Sequence, residues 1–164
     1  MSVSGSPYRL FRVDDRLLHG QVALGWGRVL RPRHYIVVDE AISRDPQAAA
    51  FYELAAPEDT SVLVLSPAQF LQPAGPLPDP RQSVLLVRSI AVAALLLRSG
   101  VPGPLNLGGM HAHAGAREIY PFFFLNPEEE DLAAALASEG FELFAQDLPQ
   151  NPRHESAEWF RGGR

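Results

Sequence analysis

The sequence predicts a single α/β domain, an open and mostly parallel β-sheet with helices on both faces. Three observations carry this reading. From Tyr8 to Ala145, short segments rich in β-formers alternate with segments of helical period, the pattern of strand–helix–strand units joined by right-handed crossovers. The run Tyr35, Ile36, Val37, Val38 is uninterrupted by polar residues, as befits a strand covered on both faces. A chain of 164 residues can bury about 70% of its unfolded surface in one core, so it needs neither disulfide nor structural metal.

The elements follow in order. Residues 8–13 form a first strand that stops at Asp14 and Asp15. Residues 20–30 continue as a helix, weakened by Gly25 and Gly27. Residues 35–38 are the second strand, ended by Asp39 and Glu40. Asp45 then caps a helix with Pro46 in its first turn and residues 47–56 in its body, closed by Pro57. Residues 61–65 predict a buried strand, 67–71 a short helix, 83–87 a strand and 90–98 a helix. Between them, residues 72–82 hold four Pro and one Gly, which predicts an irregular surface connection. Residues 101–107 predict a strand leading into a tight turn at Gly108, Gly109 and Met110, and residues 117–125 an extended segment that Pro121 confines to an edge or breaks. Asn126 caps the last helix, Pro127 takes its first position, acidic residues fill its first turn and Gly140 ends it. Residues 141–145 form a final strand, and the polar tail from Pro149 is expected to dock loosely or fray. The expected domain is residues 8–150, with 151–164 as a tail.

Composition excludes several functions. There is no Cys, which removes thiolate metal sites and cysteine nucleophiles, and no Lys, which removes Schiff-base chemistry and the P-loop lysine. A net charge of −5 has the wrong sign for a nucleic-acid-binding surface. No apolar run reaches membrane-spanning length, and residues 1–7 lack the regions of a signal peptide, so a soluble protein is expected.

In parallel sheets, ligands sit beyond the carboxyl ends of the strands. That rule nominates residues 14–20, residues 39–45, the turns at Ser66 and Arg88, and residues 108–115. The first of these concentrates Asp14, Asp15, Arg16 and His19 ahead of Gly20 and Gln21. An imidazole in its neutral form is a competent nucleophile toward phosphorus, and a carboxylate can orient it. Arg16 and the backbone N–H groups at the start of the next helix offer positive partners to phosphate oxygens, and Gly20 lets a phosphate approach the backbone. His111 and His113 form a His-x-His pair without an evident third ligand, so no metal is expected.

The segment Arg12-Val13-Asp14-Asp15-Arg16-Leu17-Leu18-His19-Gly20-Gln21-Val22 resembles the N-terminal signature of the IIB components of the mannose/fructose/sorbose family of the bacterial phosphoenolpyruvate-dependent sugar phosphotransferase system. Asn106-Leu107-Gly108-Gly109-Met110, Gly115 and residues 125–140 fall in family order, so the resemblance covers roughly residues 8–150. It implies a protein-Nπ-phosphohistidine–sugar phosphotransferase without cofactor. Such a protein takes a phosphoryl group from a phosphorylated IIA protein onto His19. It then passes the group to a sugar held by the membrane components IIC and IID. Carried over, His19 is the phosphocarrier and Arg16 its phosphate partner, while Asp14 and Asp15 orient the ring and place the loop, in either assignment. Gly20 and Gln21 bind phosphate from the helix side. Gly108 and Gly109 either line the phosphate pocket or form a purely steric turn. The resemblance further implies a cytoplasmic location, peripheral to the membrane through IIC and IID, and is compatible with a homo-oligomer. Two other readings compete with transport: a regulatory phosphocarrier using the same His19 without sugar transport, and a binding domain that is never phosphorylated.

Overall fold

The computed structural model describes residues 7–160. The reading of residues 1–7 therefore falls almost wholly outside the described residues, as do the last four positions of the tail. Seven strands form one sheet in the order β3-β2-β4-β1-β5-β8-β9. They are β1 (Leu10–Asp14), β2 (His34–Val38), β3 (Ser61–Leu65), β4 (Ser83–Val87), β5 (Leu105–Gly109), β8 (Leu143–Ala145) and β9 (His154–Glu155). All neighbours pair in parallel except β8 with β9. A separate antiparallel hairpin joins β6 (Arg117–Tyr120) to β7 (Phe123–Leu125).

The two-residue period of the strands divides the core into two layers. Leu10, Tyr35, Val37, Val84 and Leu86 pack on Leu17, Leu18, Val22, Trp26 and Leu30 on one face. Phe11, Val13, Ile36, Val38, Leu85 and Val87 face the other way, onto Ile90, Ala93, Leu97, Ala133 and Leu136. Arg12 and Asp14 share the parity of Leu10 on β1, and so point toward the layer of the first helix.

That first helix begins at Gln21. It is wound as a π-helix over Gln21–Trp26 and continues as α1 (Gly27–Leu30). The helix capped by Asp45 is α3 (Pro46–Ala55), and the short helix is α4 (Pro67–Leu71), opened by a capping box between Ser66 and Gln69. Helices α5 (Ile90–Arg98) and α6 (Pro127–Ser138) are capped by Ser89 and Asn126, the latter with Glu129 in a capping box. The starts of α3, α4, α5 and α6 follow from local hydrogen bonding, a short polar side chain accepting from an otherwise orphaned N–H.

The structure departs from expectation in four places. The segment after β2 holds a short helix α2 (Glu40–Ser43), because the Asp39 carboxylate accepts from the Ile42 N–H at 2.8 Å. Strand β3, expected to be buried, is the sheet edge: Ser61 is exposed and its other residues are only partly covered. The turn expected at Gly108 and Gly109 is instead the end of β5, where both residues are buried. Residues 117–125 are broken at Pro121 as expected, and fold back on themselves as the β6–β7 hairpin. The tail does not fray within the described residues. β9 pairs with β8, and the following α7 (Ser156–Trp159) buries Trp159 against Phe123 with ring centroids 5.0 Å apart.

Candidate active site

Strand β1 lies between β4 and β5, and the connections leaving β1 and β5 run to opposite sides of the sheet, toward β2 and β8. Such a divergence opens a crevice at the carboxyl ends of the strands. The loop after β1 occupies it. The Leu17 N–H closes a tight turn on the Asp14 carbonyl at 2.9 Å, and Leu17 adopts a left-handed φ of 56°. This strained conformation costs roughly 1–3 kcal/mol. It is offset by burial of Leu17 and Leu18, which peg the loop into the core and leave Arg16, Gly20 and Gln21 exposed around a partly exposed His19.

Asp14 is the fully buried hub. Its Oδ2 accepts from Arg12 Nη2 at 2.9 Å and lies 2.9 Å from His19 Nε2. Its Oδ1 accepts from the Arg16 backbone N–H at 3.0 Å and has the Arg16 Nε 3.6 Å away. Burial pushes this carboxyl up, but the His19 hydrogen bond, the Arg12 charge and the Arg16 N–H together outweigh it and hold it below the ordinary carboxylate value. An ionised carboxylate can only accept, so in the neutral imidazole the proton sits on Nε2 and the lone pair on Nδ1.

The two adjacent aspartates divide the work. Asp15 faces away from His19: its Oδ2 accepts from the His111 backbone N–H at 2.8 Å, and its Oδ1 lies 2.7 Å from His111 Nδ1. It thereby pins the loop to the segment after β5. His113 continues this chain, with Nδ1 2.7 Å from the His111 carbonyl and Nε2 2.9 Å from Glu129. Asp15, His111, His113 and Glu129 line a cleft of about 240 Å³ together with Arg88 and Ser89.

The other nominated residues separate. Arg16 Nη2 donates to Gln21 Oε1 at 3.0 Å at the mouth of the site. Gly20, at φ −52°, has nothing within 4 Å of where a Cβ would stand. Gly108 and Gly109 lie beneath the site: a Cβ on Gly108 would stand 1.8 Å from Arg12 Nη1, and one on Gly109 2.8 Å from the Asp14 carboxylate. Ser66 and Ser89 are helix caps, and Arg88 donates to Asp39 at 2.8 Å. Sequence reasoning passed over Arg12 as a site residue. The signal was present, a charged residue inside a strand flanked by Phe11 and Val13.

A mostly parallel α/β sheet that presents an aspartate-held imidazole at its switch point defines the class of protein by its fold and site. Comparison with known proteins identifies the class: the family model of the PTS system sorbose subfamily IIB component matches residues 8–162, and the chain belongs to that family of sugar phosphotransferase components. It is 27% identical over 146 residues to the N-acetylgalactosamine-specific phosphotransferase enzyme IIB component 2 of Escherichia coli, covering 87% of this chain and 92% of that one. It is 24% identical over 154 residues to the fructose-specific EIIB component of Bacillus subtilis, covering 93% and 94%. The crystal structure of the IIBSor domain of the sorbose permease from Klebsiella pneumoniae shares the fold, with a TM-score of 0.81 at 24% identity over 92% of this chain and 93% of that one. Among the described residues, no helix is long and apolar enough to cross a membrane.

Proposed function

We propose that His19 accepts a phosphoryl group through Nδ1 from the phosphohistidine of a IIA protein, and passes it to a sugar held by the membrane components IIC and IID. The observation that carries this reading is the 2.9 Å contact between His19 Nε2 and Asp14 Oδ2, which leaves Nδ1 as the nucleophile. In the first step the P–N bond of the donor breaks as the Nδ1–P bond forms. The His19 ring gains positive charge, which the adjacent Asp14 carboxylate stabilises, and no metal or cofactor takes part. In the second step a sugar hydroxyl oxygen attacks phosphorus, the Nδ1–P bond breaks, the hydroxyl proton leaves to solvent and His19 returns to its neutral form. Transfer between two histidines is nearly isoenergetic, so positioning and charge balance carry the catalysis.

Arg16 is the phosphate partner in this reading, exposed at 41% of its side chain and held at the mouth by Gln21. Gly20 and Gln21 line the open side where the phosphate enters. Gly108 and Gly109 serve the phosphate from below, by making room for Arg12 and Asp14. The activity is that of a protein-Nπ-phosphohistidine–sugar phosphotransferase, working in the cytoplasm at the inner face of the membrane. A similar protein, the mannose-specific EIIAB component of Escherichia coli, joins IIA and IIB in its name, and this chain spans 45% of it. That pairing supports a IIA donor here.

The test is intact-mass spectrometry at neutral to alkaline pH after incubation with phosphoenolpyruvate, the general carrier proteins and the cognate IIA. The expected result is an acid-labile gain of one phosphate that His19→Ala abolishes. No gain from a demonstrably phosphorylated IIA would overturn the proposal.

A further inference from the structure

We infer that Arg12 is a positioning residue for phosphoryl acceptance: it acts through Asp14, whose carboxylate it holds aimed at Nε2 of His19. The inference rests on the proposed phosphorylation of His19 and deepens it.

Arg12 is wholly buried and, among the described residues, is one of the largest side chains to be so. A buried guanidinium persists only where its donors are met. Nε and Nη2 both donate to Asp14 Oδ2, at 3.2 and 2.9 Å. Nη1 donates to Asn106 Oδ1 at 2.8 Å and to the carbonyls of Gln146 and Asp147, each at 3.1 Å. Those acceptors are themselves fixed, since Asn106 Nδ2 donates to the Gln146 carbonyl at 3.0 Å and Trp26 Nε1 to the Asp147 carbonyl at 2.8 Å. The planar fork therefore ties the end of β1 to β5 and to the chain beyond β8. Gly108 and Gly109 explain how it fits, because a side chain at either position would stand where the guanidinium or the carboxylate now lies.

Two consequences follow for His19. The carboxylate cannot swing, because its Oδ2 is shared between Arg12 and His19 while its Oδ1 is occupied by the Arg16 N–H. The charge is also balanced. With Arg12 positive and Asp14 negative, the buried pair is neutral and His19 can remain neutral with its Nδ1 lone pair free. Without Arg12, the buried Asp14 carboxylate would draw its compensating charge from a protonated His19, which has no lone pair to attack phosphorus. The charged groups facing Asp14 are Arg12 on its own strand and Arg16 and His19 on the loop; β5 presents uncharged Gly109, and Asp147 faces Arg12 from beyond β8.

The experiment measures two quantities in wild type, Arg12→Met, Arg12→Lys and the double variant Arg12→Met/Asp14→Asn. One is the rate of phosphorylation by phospho-IIA across pH. The other is the ¹⁵N NMR spectrum of the His19 ring in the unphosphorylated protein. Arg12→Met is expected to lose about tenfold or more in rate at pH 7, by analogy with triads whose imidazole loses its fixed tautomer. Its doubly protonated ring should persist to higher pH, with the half-maximal pH of phosphorylation moving up in step. Arg12→Lys restores the charge and is expected to bring that midpoint back toward wild type. The double variant removes both buried charges, which keeps the core neutral should Arg12→Met fail to fold. It is expected to show a wild-type-like midpoint with a low rate. A folded Arg12→Met with the wild-type pH profile and ring spectrum would overturn the inference, as would a double variant as active as wild type. The ring spectrum needs no phosphate, so a wild type that takes none would sink the proposed function while leaving the role of Arg12 to be read from NMR.

Discussion

Asp15 and His111 are joined twice, the backbone N–H of His111 donating to Asp15 Oδ2 at 2.8 Å and its Nδ1 lying 2.7 Å from Oδ1. The neighbouring Asp14 meets His19 instead. One aspartate therefore holds the His19 ring, and the other fastens the loop that carries it to the segment following β5.

This division predicts different costs. Asp14→Asn is expected to slow phosphorylation of His19 by on the order of a hundredfold or more, because an amide can hold the ring in either tautomer. His111→Ala should slow it far less. The His111 side chain is 51% exposed, and an exposed side-chain contact of this kind is worth about 0–1 kcal/mol. Rates of transfer from phospho-IIA, with urea unfolding as the stability control, separate the two. Equal slowing by both variants would contradict the division.

Asp14 also sets a pH dependence. Its folded pKa lies below the ordinary value, so the unfolded chain binds a proton more readily and stability rises with pH through that window. The contribution is fully present above the unfolded value of about 3.9 and is lost as pH falls through the lower folded value. Unfolding curves of wild type and Asp14→Asn should run parallel above about pH 5 and converge in acid. A gap that does not narrow there would contradict the assignment.

The opposite sign applies to His113. The His111 carbonyl raises its pKa, burial partly counters this, and Glu129 adds to the rise. A raised histidine stabilises the fold below its unfolded value of about 6.5 and loses that contribution as pH climbs through the folded value. NMR titration should find the His113 midpoint above that of a free histidine, and Glu129→Gln should lower it.

Gly20 and Gly108 should respond oppositely to alanine. Gly20→Ala meets nothing within 4 Å and is expected to change stability by less than about 1 kcal/mol while slowing phosphoryl acceptance. Gly108→Ala drives a methyl into the Arg12 guanidinium and should cost about 1–3 kcal/mol or more. Thermal unfolding and phosphorylation assays on both variants check the contrast.

The tail is part of the core. Trp159 is 3% exposed and packs on Phe123, so Trp159→Ala should cost about 3–5 kcal/mol, measurable by chemical denaturation. A change under about 1 kcal/mol would mean that the tail docks without holding the sheet together.

Much of this was readable from the sequence because it is local. Asp45, Ser89 and Asn126 start helices by hydrogen bonds that span two or three residues, and Pro46 and Pro127 stand where their missing N–H costs nothing. The motif around His19 is likewise contiguous, and it brought Asp14, Arg16 and Gln21 into view at once. What escaped depends on pairing between distant segments. The edge position of β3 depends on which strand lies beyond it. The docking of β9 depends on β8 being free to receive it, and Arg12 finds three of its acceptors 94, 134 and 135 residues away.

The sequence by itself determined the alternation of strands and helices, the class of fold and the cluster of residues at the end of the first strand, since periodicity, capping and contiguous motifs act over a few residues. Only the tertiary structure decided which aspartate serves His19. Asp14 ends β1 and Asp15 opens the turn that follows it, so nothing local to the two residues sets which carboxylate meets the ring. The choice fell when β5 came alongside β1, placing Gly109 beneath Asp14 and His111 against Asp15. A buried charge is tolerated only where distant donors converge on it, and that convergence is a property of the assembled sheet.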